Sequence, residues 1–199
     1  MTITYLVGNS LYLNITNHCT NACDFCVRTQ SDGHYADNLW LEREPTGADL
    51  DTRPLDTYDE IVFCGYGEPT CRFNNMIAVC DYIRSKTKTP IRLNTNGHAN
   101  MIEWRDVTAE LKGRLDTVSV SLNAARASDY NKICHSYYGE AGFRGMLEFA
   151  EKAKKYVPRV ILSVVRGTIP DSDLELCREI AESRGLELRI REYIHNEDK

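Results

Sequence analysis

Three cysteines, Cys19, Cys23 and Cys26, are the residues whose spacing most directly indicates chemistry. They form a C-x3-C-x2-C motif directly after an apolar stretch, and no fourth cysteine stands beside them. A cubane iron–sulfur cluster that only carries electrons normally takes one cysteine on each iron, so three cysteines leave one iron open. An open position on iron predicts chemistry at the metal.

Zinc is the alternative ion for the same cysteines. Adjacent His18 offers a fourth ligand of a kind found in structural zinc sites. On an extended chain, however, the side chains of His18 and Cys19 point in opposite directions, and no second cysteine pair completes a zinc finger. The iron–sulfur interpretation is favoured, and a non-catalytic iron–sulfur or zinc module that binds a partner remains the alternative.

The bulk composition limits the classes of protein to which this chain can belong. Its 199 residues, 42% of them hydrophobic, suffice for one well-buried domain, and we predict a single domain over residues 1–199. The 24 basic and 29 acidic residues give a formal charge of -5 and are well mixed. No broad positive face is expected, so bulk binding of nucleic acid is not predicted.

The sequence also bears on the compartment. No run of 18 apolar residues and no charged-then-apolar leader is present, so neither a membrane span nor secretion is predicted. Five further cysteines are scattered singly rather than spaced as a disulfide framework. These are Cys64, Cys71, Cys80, Cys134 and Cys177. The cytoplasm, where thiols stay reduced, is the predicted location.

Short apolar runs alternate with amphipathic segments along the chain, which predicts alternating strands and helices. The predicted strands are 11–16, 60–64, 91–94, 117–122, 160–165 and 187–192, and the predicted helices are 73–85, 102–112, 143–156 and 173–184. Parallel strands joined by helices form either an open doubly wound sheet or a barrel. Six units favour a single α/β domain with a partial, TIM-like (βα)6 barrel. A turn or two of helix is expected at 39–43.

Polar and glycine-rich residues follow the predicted strands. The cysteine motif follows the first strand, the segment 65–70 follows the second, and Asn94 and Asn123 close the third and fourth. Residues 193–195 follow the sixth strand. The carboxyl ends of parallel strands share one face of such a fold, which is where its active sites lie. We therefore expect the cysteines and these residues to converge.

The motifs resemble those of the radical S-adenosylmethionine (SAM) superfamily. The resemblance rests on the spacing Cys19-x3-Cys23-x2-Cys26, on the turn Gly67-Glu68-Pro69, and on their order over six β/α units. It covers nearly the whole chain. The residues that flank these motifs look most like the TatD-family-associated radical SAM proteins, a subgroup without an established reaction.

The resemblance implies a [4Fe-4S] cluster on Cys19, Cys23 and Cys26, with the amino and carboxylate groups of SAM on the open iron. It further implies reductive cleavage of SAM to a 5′-deoxyadenosyl radical, which abstracts hydrogen from a substrate, expected to be a small molecule. Reduced flavodoxin or ferredoxin is the expected electron donor. The subgroup name suggests a functional link to a TatD-like metal-dependent hydrolase.

Within the second loop, the resemblance implies contacts to SAM from the whole glycine-containing turn. Gly67 lets the backbone approach the methionine amino group, and Glu68 offers an acceptor for that cation, while Pro69 fixes the turn. The expected cofactor residues of this loop are Gly65, Tyr66, Gly67, Glu68 and Pro69. Tyr66 stands where the family usually has glycine, and we expect it to wall the site.

Five more residues are expected to contact SAM by the same resemblance or by their chemistry. Phe25 would lie near the adenine, Asn94 near the ribose, and Asn123 near another polar group of the cofactor. Val165 would pack on the adenine, and Arg191, with Arg189, would bind a carboxylate of the cofactor or an anionic substrate. The alternatives are a core anchor for Phe25 and Val165, strand-end turns for both asparagines, and a solvated edge for the arginines.

Residues for the substrate are less specific. Cys71 and Cys134 are candidate catalytic residues, as late hydrogen-atom donors, together with Cys64, although a lone cysteine is more often a small apolar residue. The other substrate candidates are Asn74, His98, His135, Tyr137, Tyr138 and His195. Two other reactions fit the same chemistry: an activase that installs a glycyl radical on a protein, and an enzyme like 7-carboxy-7-deazaguanine synthase.

Overall fold

A seven-stranded sheet forms the centre of the computed structural model, which describes residues 1–28, 39–50 and 54–192. Its strands follow one another in chain order. They are β1 (Thr4–Val7), β2 (Ser10–Leu13), β3 (Glu60–Phe63), β4 (Ile91–Thr95), β5 (Thr117–Ser121), β6 (Arg159–Val165) and β7 (Glu187–Arg191). β1 and β2 pair antiparallel, and every later pair is parallel. The predicted α/β domain with a partial TIM-like barrel is confirmed.

Helices connect the parallel strands and cover the outer face of the sheet. They are α1 (Phe73–Lys86), α2 (Ala99–Ile102), α3 (Ala127–Cys134), α4 (Glu140–Ala153) and α5 (Asp171–Ser183). Short 3-10 helices occur at Gly47–Leu50, Leu55–Thr57, Pro69–Arg72 and Thr108–Leu111. Within the described residues, no helix is long and apolar enough to cross a bilayer.

The two faces of the sheet differ in polarity because successive side chains of a strand point to opposite sides. On β4, Ile91 and Leu93 are fully buried in the core shared with the helices, whereas Arg92 and Asn94 point to the concave face. The helices supply the other half of that core, as with Phe73 and its neighbours on α1. The polar concave face is thereby left for a ligand.

The amino-terminal hairpin was not predicted. β1 and β2 are joined by the two residues Gly8 and Asn9, and Val7 pairs with Ser10. Gly8 has a φ of 59°, a conformation that glycine adopts without a steric penalty and that tight hairpins need. The Gly-Asn pair between two short apolar runs was the available signal.

The predicted helix over 102–112 was wrong. The chain forms only α2 and then the 3-10 turn Thr108–Leu111, separated by Trp104 at a φ of 53°. Asn100 Oδ1 accepts a hydrogen bond from the Val107 backbone at 2.9 Å, and Asp106 Oδ1 accepts one from the Thr108 backbone at 3.0 Å. Such side-chain bonds compete with those of a helix.

Two other segments also differ from the prediction. No helix forms at 39–43, where Leu41 instead exchanges two hydrogen bonds with the Asn17 side chain, at 2.8 and 3.0 Å. Helix α3 was missed because its sequence is polar and its buried residues are few. Residues 193–195, which include the substrate candidate His195, lie outside the described residues.

Candidate functional site

A cavity of about 250 Å³ opens at the carboxyl ends of the parallel strands. Cys19, Cys23 and Cys26 line it together with nine of the ten predicted cofactor residues. These nine are Phe25, Gly65, Tyr66, Gly67, Glu68, Asn94, Asn123, Val165 and Arg191. They come from loops and strand ends that are far apart in the sequence. The expected convergence at this face is therefore present in the structure.

Pro69 and the two candidate catalytic cysteines, Cys71 and Cys134, do not reach the cavity wall. Pro69 is buried at the start of the 3-10 helix that follows Glu68. The backbone of Cys71 donates to the Glu68 carbonyl at 2.9 Å, one turn behind the wall. Cys134 is fully buried at the end of α3, where its sulfur accepts a hydrogen bond from Asn123 at 3.6 Å. Of the three candidate hydrogen-atom donors, only Cys64 faces the cavity.

The cysteine loop is held by the carboxyl end of α3. The backbone N–H of Ala22 donates to the Cys134 carbonyl at 2.9 Å, and that of Asp24 donates to the Ile133 carbonyl at 3.0 Å. The last carbonyls of a helix lack partners within the helix, and here the loop provides them. His135 ends the helix in a left-handed conformation and contacts the Asp24 carboxylate at 2.6 Å. The loop that carries the cysteines is thus fixed without a metal.

The glycine-containing turn fits closely against the strand that leads into the cysteine loop. A side-chain Cβ at Gly67 would lie 2.3 Å from the Thr16 carbonyl oxygen, and one at Gly65 would lie 2.1 Å from Asn14 Oδ1. No other residue fits at either position without a shift of the backbone or of a buried side chain. Tyr66, between them, packs its ring edge-on against Trp40 and borders the cavity, as expected for a wall.

Glu68 accepts four hydrogen bonds from protein donors. Thr70 donates its backbone N–H at 3.0 Å and its hydroxyl at 2.7 Å to Oε1, which also accepts the Thr95 hydroxyl at 2.7 Å. The backbone of Asn96 donates to Oε2 at 2.6 Å. Burial raises the pKa of this carboxyl, and the four donors oppose that shift. Glu68 therefore ties the loop after β3 to the loop after β4.

A buried polar network supports the cysteine loop from behind. Its centre is His98, whose Nδ1 lies 2.9 Å from the Thr20 hydroxyl and whose Nε2 lies 3.3 Å from the Tyr130 hydroxyl. Asn21 Nδ2 donates to the Tyr130 hydroxyl at 2.9 Å, and Asn96 Nδ2 donates to the Thr20 hydroxyl at 2.8 Å. Backbone N–H of Asn21 also points to the Cys19 sulfur at 3.4 Å. The network fixes the loop on both sides of Cys19.

The remaining predicted polar residues differ in how they are engaged. Asn94 Oδ1 accepts a hydrogen bond from Arg92 at 3.1 Å. Asn123, left-handed with a φ of 59°, has a buried Oδ1 without a hydrogen-bond partner in the described part of the chain. A buried acceptor of this kind normally has a partner, so it indicates a ligand or water donor. Arg191 is solvent-exposed on β7, and partial desolvation by the surrounding protein lowers its pKa, as does neighbouring Arg189.

A comparison of sequences identifies the family. The profile of the Radical SAM superfamily matches residues 13–180, more than four-fifths of the chain. The chain belongs to the radical SAM superfamily. The match includes all three cysteines and the glycine-containing turn of this radical SAM protein. No curated protein sequence matches it significantly.

Solved structures of radical SAM proteins share its fold. A radical SAM methyltransferase from Sphaerobacter thermophilus superposes with a TM-score of 0.63 at 14% identity, over 95% of this chain and 68% of that one. HydG, a maturase of the [FeFe]-hydrogenase, gives 0.66 at 14% identity, over 94% and 42%. SuiB from Streptococcus suis, bound to SAM, gives 0.62 at 12% identity, over 94% and 41%. This chain spans less than half of HydG and of SuiB, and at these identities the likeness shows the fold alone.

The donor set of this radical SAM protein fits an iron–sulfur cluster. Superfamily members use SAM and a [4Fe-4S] cluster, and here the three motif thiols line the same cavity as Cys64, the buried Asn123 acceptor and the glycine turn. Burial raises the pKa of Cys19 to about 12 and also raises the pKa of Cys26. A hydrogen bond with Cys134, together with burial, raises the pKa of Cys23. Thiols so buried ionise readily only beside a cation.

A site for a single metal ion needs a different arrangement of ligands from a site for a cluster. Among residues 1–28, 39–50 and 54–192, no group of three or more His, Cys, Asp or Glu side chains is arranged to hold one metal ion. A cubane cluster instead gives each cysteine its own iron, so its ligands surround a core rather than converge on one point. The three motif thiols line one shared cavity, as the separate cysteine ligands of a cubane cluster would.

Several residues of the site were not predicted from the sequence. Asn21, Asn96 and Ser121 line the cavity, and Tyr130 supports it from α3. The segment Asn94-Thr-Asn-Gly already pointed to this loop, but nothing in the local sequence distinguishes the roles of its two asparagines. His98 was a substrate candidate, and it lies in the supporting network rather than at the cavity wall.

His98 provides a test of that network by pH. Burial lowers its pKa from 6.5 to about 4, so the folded protein disfavours the protonated ring that the unfolded chain accepts. Stability is therefore complete above pH 6.5 and falls as the pH drops from 6.5 to 4, by up to about 3 kcal/mol. Urea unfolding of the cluster-free protein across this range measures the effect.

The control is His98→Gln, which keeps a donor for the Gly142 carbonyl that His98 Nε2 contacts at 3.1 Å but does not titrate. The variant should lose less stability than the wild type between pH 6.5 and 4. Equal pH slopes for the two proteins would show that His98 is not buried in its neutral form.

Proposed function

We propose that this protein is a radical SAM enzyme that cleaves SAM reductively and abstracts hydrogen from a small-molecule substrate. The observation that carries the proposal is that the three motif cysteines line one cavity, of about 250 Å³, together with nine of the residues expected to contact SAM. When bound, the [4Fe-4S] cluster and SAM supply an electron and a sulfonium, whose cleavage gives methionine and a 5′-deoxyadenosyl radical.

The chain's own residues bind and orient these groups. Cys19, Cys23 and Cys26 would hold three irons of the cluster, and the backbone carbonyls of Gly65 to Gly67, at the wall of the same cavity, would accept hydrogen bonds from the methionine amino group. Glu68 acts here as a positioning residue, because its carboxylate is engaged by Thr70, Thr95 and Asn96. This assignment departs from a direct contact between Glu68 and the cofactor cation.

The nucleoside part of SAM is oriented by side chains from four elements. Asn94, at the cavity wall, would bind the ribose, and the unpartnered Oδ1 of Asn123 would accept a hydrogen bond from the cofactor. Phe25 and Val165 exclude water around the adenine. Positioning and exclusion of water are the main tasks of the protein in radical chemistry.

The finer assignments rest on the sequence motifs. We propose that the protein is a member of the TatD-family-associated subgroup, that it works in the cytoplasm, and that reduced flavodoxin or ferredoxin donates the electron. The five cysteines outside the motif are all free thiols, which supports a reducing compartment. A functional link to a TatD-like hydrolase is part of the same proposal.

The function is tested by product analysis. The protein is reconstituted anaerobically with iron and sulfide, reduced with dithionite and supplied with SAM, and 5′-deoxyadenosine is measured by chromatography and mass spectrometry. The wild type and Cys80→Ala, which alters a buried thiol of α1 away from the cavity, should both form the product. Wild-type yields no higher than those of Cys23→Ala would refute the enzymatic function.

A further inference from the structure

The last strand, β7, carries two arginines on one face. On β7, Leu188 and Ile190 pack toward the hydrophobic core, on the side covered by α5. Arg189 and Arg191 therefore point to the opposite, concave face of the barrel. Arg191 pairs in register with Val165, and both line the cavity. Arg189 lies on the same face of the strand, two residues nearer its amino end, and is not part of the cavity wall.

Three arginines, one on β4 and two on β7, point to the concave face near the cavity. Arg92 points to the same face from β4 and is paired with Glu60 at 2.9 Å. Neither Arg189 nor Arg191 forms a side-chain ion pair with a carboxylate of the described ranges 1–28, 39–50 and 54–192. Besides desolvation by the surrounding protein, Arg189 and Arg92 both lower the pKa of Arg191.

Two carboxylates, those of Glu68 and Glu192, also line the cavity, but within the described residues neither forms an ion pair with Arg189 or Arg191. Glu192 pairs with Arg166 at 3.0 Å, and Glu187 pairs with Arg159 at 2.7 Å. Positive charges held together on a concave surface attract anions of complementary geometry.

We propose that Arg189, together with Arg191, binds an oxyanion group of the substrate, either a carboxylate or a phosphate. A guanidinium offers two parallel N–H donors, which match a carboxylate or a phosphate. Ser121, at the cavity wall, offers a further hydrogen-bonding group. The inference rests on the proposed function, because it places the anionic group beside the cavity that SAM would occupy. It names the substrate class as a small anionic molecule.

The inference is tested by anion binding to the reconstituted, SAM-loaded protein. Calorimetric titrations use inorganic phosphate and, separately, succinate as probes. At least one of them should bind the wild type, and binding should weaken about tenfold or more in Arg189→Gln because the charge-assisted hydrogen bonds are lost. Arg189→Lys should retain part of the affinity, since it keeps the charge without the fork.

The matched control is Arg178→Gln, an exposed arginine of α5 paired only with Glu175. It should bind both probes like the wild type. Tighter binding of phosphate than of succinate would assign a phosphate-bearing substrate, and the reverse order a carboxylate-bearing one. Failure of both probes to bind the wild type, or unchanged binding in Arg189→Gln, would overturn the inference.

The same samples separate this inference from the proposed function. Arg189→Gln should still bind SAM and form 5′-deoxyadenosine in the absence of substrate, because Arg189 lies outside the cavity wall. Product formation without anion binding would refute the oxyanion site alone. Anion binding without product formation would refute the radical chemistry and leave a basic site of another kind.

Discussion

Replacement of Cys26 by alanine is expected to eliminate the [4Fe-4S] cluster while the barrel stays folded. Cys26 is one of the three motif thiols, which line the cavity together with Cys64, so its loss leaves two motif ligands for four irons. The loop itself is fixed by the carbonyls of α3 and by the Asn21 and His98 network, neither of which needs the metal. Iron and sulfide content and visible absorbance after reconstitution measure the effect.

The same outcome is expected for Cys19→Ala and Cys23→Ala, and 5′-deoxyadenosine formation should fall to the level without enzyme. Cys177→Ala is the matched control, because that thiol is a buried side chain of α5 and lies away from the cavity. Circular dichroism should show a folded protein in each case. A full complement of four irons in any of the three variants would contradict the assigned ligand set.

Glu68→Gln is expected to be the most destabilising conservative substitution in the site. The glutamine keeps one acceptor oxygen and directs an NH2 group at donors that Glu68 now satisfies. Leaving buried donors without an acceptor costs about 1–3 kcal/mol for each group, so we expect a loss of about 3 kcal/mol of unfolding free energy. Urea unfolding of the cluster-free protein measures it.

This substitution should also weaken SAM binding to the reconstituted protein, by about tenfold, because the loops after β3 and β4 are no longer held together. Glu148→Gln is the control: its carboxylate pairs with Lys152 on the surface of α4, where such pairs contribute about 1 kcal/mol or less. If Glu68→Gln unfolds at the same urea concentration as Glu148→Gln, then Glu68 does not tie the two loops.

The parts of the site that the sequence predicted are those encoded by local motifs. The cysteine spacing, the glycine turn and the strand-end residues Asn94 and Asn123 are each visible in a few consecutive residues. Their convergence followed from one rule, that parallel strands end at the same face. The observed cavity contains all of them because the predicted strands 60–64 to 187–192 are present at nearly those positions.

The parts that were missed depend on contacts between distant residues. The network joins Asn21 to Tyr130 across 109 residues, and no local pattern marks such a pair. The role of Glu68 was predicted from its motif as an open acceptor, whereas the structure surrounds it with donors from two loops. The prediction of a helix over 102–112 was wrong for a local reason. The side chains of Asn100 and Asp106 accept hydrogen bonds from the backbone of Val107 and Thr108, and these bonds compete with those of a helix.

The electron paramagnetic resonance spectrum of the reduced, reconstituted protein, with and without SAM, tests the central claim most directly. If SAM binds the open iron left by Cys19, Cys23 and Cys26, its addition should change the g-values of the [4Fe-4S]⁺ signal. Cys80→Ala should show the same change, because its thiol lies away from the cavity. A cluster signal that is identical with and without SAM would contradict the account.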